Sequence, residues 1–403
     1  MSRVVFRGGR VFDGTGSPPA PGDVAVEGGR IVEVGPGLDG DEAVDVTGRT
    51  VLPGFFDCHV HVVMSHLDTL RQLQTPFSYQ FFEAVGNLER TLAVGITSVR
   101  DAGGADLGVK QAVDDGLIRG PRLQVSLGMI SQTGGHGDAW VPAGAEVPLF
   151  LPHPGLPPTI VDGPDEMRRT VRTLIRMGAD VIKVATSGGV LSPRDDPRHA
   201  HFRRGELEVL VEEATAAGLF VMAHAQAADG IKNAIRAGIR SIEHGVYLDD
   251  EAIDLMLEHG TYLVATLVAP QGVLDAAAAG VQLPSAVLDK ANLVAETHRE
   301  AFRRAVQAGV RIAMGTDSGV TPHGRNLREL ELMVAGGMTP TAALVATTKT
   351  AAELLGVAED RGTVEAGRRA DLLLLDGDPL DVSGLGDRVR AVYQDGILVS
   401  GAA

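Results

Sequence analysis

The chain has 403 residues, with 36 Lys and Arg against 52 Asp and Glu, a formal net charge of −16, 44% hydrophobic and 22% charged residues. That composition is globular and excludes a disordered or fibrous chain, and the acidic balance argues against nucleic acid or an anionic membrane as main partner. The single cysteine, Cys58, excludes an intramolecular disulfide, and no run approaches the ~20 apolar residues of a membrane span, so a soluble, cytoplasmic protein is expected.

Taken in chain order, residues 1–53 show short alternating strands with turn signals (VVFRGGRVF, DVAVEGGRIVEVG, TGRTVLPG). From residue 54 to about 360, eight β-rich runs alternate with helical patterns. They are Phe55–His61, Ile96–Asp101, Leu123–Ile130, Asp180–Thr186, Leu219–Ala225, Ser241–Gly245, Tyr262–Leu267 and Val310–Asp317. GELEVLVEEATAAG and DDEAIDLMLEHG are the clearest helices between them. This alternation predicts an α/β fold, a (β/α)8 TIM barrel over 54–360. An open doubly wound sheet is the alternative, but polar residues at the ends of so many strands favour convergence at one mouth. Residues 361–403 return to the strand-and-turn texture of the N-terminus. Each end is too short to bury a core by itself, so 1–53 and 361–403 are expected to form one small β-sandwich.

Residues 141–164 hold seven of the 21 prolines, too many for a regular helix or a central strand. Following the third strand, the segment would shape or cover the mouth of the barrel, or form a surface excursion.

The chemistry-bearing residues sit at strand ends. His59 and His61, two apart in a strand, point to one face and make half of a first-row metal site. His224, His244 and Asp317 end the fifth, sixth and eighth strands. Lys183 stands in the apolar run DVIKVAT, where an unpaired ammonium is expensive to bury. An ion pair with a barrel carboxylate is one solution, and a carbon dioxide-derived carbamate that bridges two metals is the other. His136, in SQTGGHGD beyond strand three, is a catalytic candidate. Cys58 points away from His59 and His61 and is read as packing.

Together these motifs resemble the amidohydrolase superfamily over nearly the whole chain. PGFFDCHVH, SQTGGHGD, HGVYLDDEAIDLM and GTDSGVTPHGRNLRELELM resemble its imidazolonepropionase-like and prolidase-like branch, which includes Xaa-Pro dipeptidases. The resemblance implies two divalent metal ions, usually Zn2+. His59, His61 and Asp317 would hold one and His224 and His244 the other, with a carbamate on Lys183 bridging them. It implies that Asp317 accepts a proton from the attacking water and that His136 stabilises the oxyanion. Arg325 is a candidate for a substrate carboxylate, although it could equally brace its loop. Gln226 stands where the Xaa-Pro dipeptidase pattern has a tyrosine, which weakens a strict prolidase assignment. Phe77, Tyr79, Phe81 and Phe82 are candidates for an apolar wall, a packed helix being the other use. The other seven histidines are expected at surfaces or in loops, with His323 a possible pocket residue.

The expected activity is hydrolysis of an amide or peptide bond in a small molecule, a dipeptide such as Xaa-Pro or an N-acyl amino acid. A cyclic-amide hydrolase of imidazolonepropionase type and a hydrolase of aromatic amide or carbamate-like xenobiotics are the alternatives. A deaminase would carry a glutamate where Ala227 stands. The resemblance also implies a homo-oligomer, although no interface signature is visible.

Overall fold

A computed structural model of the chain describes residues 2–192 and 194–402. At the N-terminus lie β1 (Val4–Val11), β2 (Ala20–Glu27), β3 (Arg30–Gly35), β4 (Glu42–Asp45) and β5 (Arg49–Pro53). The middle of the chain contributes β6 (Phe55–Val60), β7 (Ile96–Asp101), β8 (Arg122–Val125), β9 (Met129–Ile130) and β10 (Val181–Ala185). It continues with β11 (Phe220–Ala225), β12 (Ser241–His244) and β13 (Tyr262–Val264), and the chain closes with β14 (Leu372–Asp376), β15 (Val389–Gln394) and β16 (Ile397–Gly401).

The two ends of the chain meet in one eight-stranded sheet, ordered β16-β15-β14-β5-β1-β2-β3 with β4 beside β1. The join is the antiparallel β5–β14 pair, in which Val51 opposes Leu374. This sheet has an apolar core of its own, which includes Phe6, Val26, Val51, Leu372 and Tyr393. The two ends of the chain thus share one hydrogen-bonded sheet and one apolar core.

The middle strands form two parallel sheets, β6-β7-β8 and β9-β10-β11-β12-β13. Their residues are buried on both faces, as in β10 (VIKVA), which is why they read as nearly continuous apolar runs. The named strands do not close into one continuous sheet. Two of the eight predicted strands differ from expectation. The third is interrupted because Leu127 adopts φ 65°, leaving β8 and β9 on either side of a three-residue break. The eighth, 310–317, does not form a regular ladder because Met314 N donates to Ala346 O rather than to a neighbouring strand. Isolated parallel bridges, Leu263 to Ile312 and Val60 to Ser318, still seat this segment between β13 and β6.

The expected helices are present at Arg204–Ala216 and Asp250–His259. The second starts where Asp249 Oδ1 accepts from Ala252 N at 2.8 Å and stops where Gly260 turns left-handed, the cap chemistry its ends encode. No helix among the described residues is long and apolar enough to cross a membrane.

Candidate metal centre

The strand ends converge on one cavity of about 70 Å³, lined by His59, His61, His136, Lys183, His224, Gln226, His244 and Asp317. On β6 the pairing with β7 slips by one residue between Asp57 and Val60, a bulge of the kind that re-aims side chains. His59 and His61 share a face, with ring centroids 5.5 Å apart. His244 lies 5.1 Å from His59 and 4.6 Å from His224. Asp317 Oδ1 sits 3.1 Å from His61 Nε2 and 3.5 Å from His59 Nε2. His59, His244 and Asp317 each offer a ligand atom within 4.8 Å of the other two.

Each of the four strand-end imidazoles has one nitrogen tied to an oxygen, which leaves the other for a metal. His59 Nδ1 donates to Glu243 Oε2 at 2.7 Å, and His61 Nδ1 to Gly103 O at 2.9 Å. His244 Nδ1 donates at 2.7 Å to Thr266 Oγ1, which itself donates to Ala265 O. His224 donates through Nε2 to Gly188 O at 3.1 Å, so it presents Nδ1. Such partners orient a ligand ring and raise its basicity. Glu243 was not anticipated from sequence. It is fully buried, and Arg100 donates to it at 2.9 Å and Ser241 at 2.6 Å. Glu243→Gln is expected to weaken zinc affinity by roughly 10–100-fold, read by competition with a chromophoric chelator. Wild-type affinity would restrict Glu243 to partnering Arg100.

Burial sets the charge states. Desolvation holds His59, His224 and His244 well below the usual imidazole range, so they are neutral and ligand-competent. Desolvation would raise Asp317, but the hydrogen bond and charge of His61, together with Lys183, hold it well below the usual carboxylate range. His61 is raised despite its burial, because it pairs with Asp317. Lys183 Nζ is buried without a hydrogen-bond partner, and desolvation lowers its pKa to about 8. An unpartnered amine among neutral imidazoles is a poor resting state for an ammonium and fits a lysine that becomes an anionic ligand.

Three site residues at strand ends carry backbone strain: His244 at φ 71°, Thr266 at 53° and Asp317 at 59°. None is glycine, and Thr266 is β-branched. Such conformations cost roughly 1–3 kcal/mol each and cluster where function requires them.

His136 stacks on His224 with ring centroids 4.1 Å apart. Its Nδ1 donates at 2.7 Å to Ser192 Oγ, which donates to Asp195, whose Oδ2 lies 3.3 Å from the same nitrogen. The approach requires Gly189, since a Cβ there would stand 2.2 Å from His136 Cε1. Lys290, from helix Ser285–Ala308, donates to Gly189 O at 2.6 Å and to Asp195 Oδ1 at 3.0 Å, pinning the loop that orients the ring. Gln226 lines the cavity with its Oε1 unpartnered.

Arg325 is not brought to the cavity: its side chain is exposed, while the neighbouring Asn326 is buried and donates to Asp57 Oδ2 at 2.8 Å. The aromatics at 77–82 also stay outside it. Phe82 is 73% exposed, and Phe81 packs edge-on to Phe77. The aromatic wall comes instead from the proline-rich segment, whose Phe150 ring lies 5.3 Å from that of His61. His298, expected at the surface or in a loop, is buried in helix Ser285–Ala308, and His323 is buried in its loop. His298 Nε2 donates to His244 O at 2.9 Å, and His323 Nε2 lies 3.1 Å from Met64 O. Cys58 is buried in a separate apolar cluster with Phe56 and Val264, as the strand alternation predicts.

A parallel α/β scaffold that brings histidines, a lysine and an aspartate to one cavity is that of a metal-dependent hydrolase. Residues 50–399 match the amidohydrolase family, and the chain belongs to it. It is 38% identical to ochratoxinase from Aspergillus niger over 344 residues, 82% of this chain and 71% of that protein. It is 29% identical to imidazolonepropionase from Rhizorhabdus wittichii over 388 residues, 88% of each. A crystal structure of a Xaa-Pro dipeptidase with bound methionine in the active site superposes with a TM-score of 0.90 at 33% identity, covering 99% of this chain and 100% of that one. These relatives fall in the branch that the motifs indicate.

Proposed function

We propose that the chain is a binuclear metal-dependent amidohydrolase that cleaves an amide or peptide bond in a small substrate. The observation that carries this is the grouping of His59, His61, Lys183, His224, His244 and Asp317 around one cavity, with Lys183 Nζ unpartnered. On this reading the parallel strands and the 310–317 segment make a closed (β/α)8 barrel over 54–360, and 1–53 with 361–403 make the second domain. His59, His61 and Asp317 would hold one divalent ion, His224 and His244 a second, and a carbamate on Lys183 would span them. The bound ions would supply Lewis acidity and bring the pKa of water near ~7.

The protein groups do the rest. Asp317 takes the proton from the attacking water and passes it to the leaving amine. His136, oriented by Ser192 and Asp195, turns Nε2 toward the scissile carbonyl oxygen and stabilises the charge that develops there. Gln226 offers hydrogen bonds to the substrate beside the reacting group.

The remaining cavity wall favours an apolar substrate. Met64, Leu149, Phe150, Val190, Leu191 and Val246 line it, and Lys183 is the sole Lys or Arg among its described lining residues. No guanidinium stands ready to clamp a carboxylate. Similarity to ochratoxinase supports this choice within the family. Zinc-loaded protein prepared with bicarbonate is therefore expected to hydrolyse N-acyl amino acids with bulky acyl groups and aromatic amides with higher kcat/KM than Xaa-Pro or Xaa-Lys/Arg dipeptides. Failure of the two-metal protein to cleave any of the four classes would overturn the reading.

A further inference from the structure

Beside the metal cavity lies a second cavity of about 40 Å³, and Met64, Leu149 and Phe150 line both. Phe150 therefore stands between the two, its ring 5.3 Å from that of His61. Gln72, in helix Thr69–Gln74, ties this wall down by donating from Nε2 to Leu149 O at 3.1 Å. A substrate larger than the reacting amide can extend beyond the metal cavity on the side where Met64, Leu149 and Phe150 stand. The second cavity is the adjoining space.

Its polar groups describe what it would accept. Gln80 Nε2 and His66 Nδ1 are both buried and both lack a hydrogen-bond partner. Glu83 adds a carboxylate, which receives one bond from Arg71 at 3.2 Å. No Lys or Arg is among the described lining residues. A carboxylate ligand would face Glu83 with no Lys or Arg lining the cavity, and an ammonium would find Glu83 already paired with Arg71 and would face the Gln80 donor. A purely apolar group would leave Gln80 unsatisfied, which is costly for a buried polar group. The group that fits is neutral and both donates and accepts, as a carboxamide or peptide unit does.

We propose that this cavity is a subsite for a second, neutral amide of the substrate, lying beyond Phe150 from the scissile one. Gln80 Nε2 donates to its carbonyl oxygen, and the Glu83 carboxylate accepts from its N–H. The proposal rests on the hydrolase reading above for what happens on the near side of Phe150. The binding chemistry of the subsite does not depend on turnover.

Two measurements test it separately from that reading. In the full-length, metal-stripped protein, adding succinamide is expected to shift the Gln80 side-chain amide resonances, assigned by their loss in Gln80→Leu, whereas succinate leaves them in place. No shift with succinamide, or an equal shift with succinate, overturns the subsite whether or not the enzyme turns over. In the zinc-loaded protein, two 4-nitroanilides of matched shape are compared, one succinamoyl and one 4-methylpentanoyl. Gln80→Leu is expected to lower the ratio of their kcat/KM values roughly tenfold, through KM, the loss expected of one hydrogen bond. An unchanged ratio counts against the subsite. Absence of turnover on both substrates counts against the hydrolase reading and leaves the resonance measurement to decide the subsite.

Discussion

Asp317→Asn is expected to lower kcat by roughly 10⁴-fold or more, since it removes a general base, worth about 10²–10⁴ alone, together with a metal ligand. The substitution preserves shape. Asp317 N donates to His59 O at 2.7 Å, a backbone contact that either side chain permits, so the melting temperature should change little. What disappears is the negative charge. Asp317 keeps its proton off because His61 and Lys183 stand beside it, and it in turn keeps His61 protonated at higher pH than an ordinary imidazole. The sign of the pH effect follows. His61 has a raised folded pKa, so in the metal-free protein its pairing stabilises the fold fully below the unfolded value and is lost as pH rises through the folded one. A metal must displace that proton, so zinc loading of the wild type should weaken as pH falls through the His61 pKa. In Asp317→Asn this dependence should move to lower pH with the imidazole. Initial rates, metal analysis and an NMR titration of His61 check the three statements. Near-wild-type turnover in this variant would remove Asp317 from the chemistry.

The parts of this site that were legible in sequence are those that follow from a single element. His59 and His61 share a face because strand side chains alternate with period two. Lys183 stood out because it is the one cation in DVIKVAT and strand alternation sends the run's one acid, Asp180, to the opposite face. Glu243 did not stand out for a geometric reason. Alternation sends it to the opposite face from His244, but His244 leaves the strand at φ 71°, and that turn lets both neighbours serve the same cavity. Asp195 and Lys290, 95 residues apart, meet only through tertiary packing. The turn that exposes Arg325 buries Asn326 against Asp57, an alternation of neighbours that a loop sequence does not reveal. The aromatic wall was sought in the segment richest in aromatics, whereas the ring that reaches the site is Phe150, carried by a loop whose course no periodicity encodes. The fold was similarly legible in its strands and helices and less so at their interruptions, where Leu127 and Met314 divert the backbone.

Lys183→Ala is expected to reduce bound metal from two equivalents toward one or none. Lys183 Nζ lies in the cavity among His59, His244 and Asp317 with no hydrogen-bond acceptor. As an ammonium it would repel any cation bound there. As a neutral amine it can attack carbon dioxide: the N–C bond forms, one C=O bond opens, a proton leaves, and the side chain ends as an anion with two oxygen donors. Burial favours this path, because desolvation brings the pKa down to about 8 against the opposing pull of Glu243 and Asp317. With that value about 3% of the amine is neutral at pH 6.5 and about half at pH 8. Zinc uptake by the metal-free protein, at constant dissolved carbon dioxide, should therefore run roughly fifteenfold faster at pH 8 than at pH 6.5. Lys183→Met keeps the buried volume and cannot be carboxylated, so it should match Lys183→Ala in metal content while melting closer to the wild type. Wild-type metal occupancy in both variants would leave the ion pair with a barrel carboxylate as the role of Lys183. A pH dependence of uptake that is the same in the wild type and in Lys183→Met would do the same, because the His61 proton alone would then account for it.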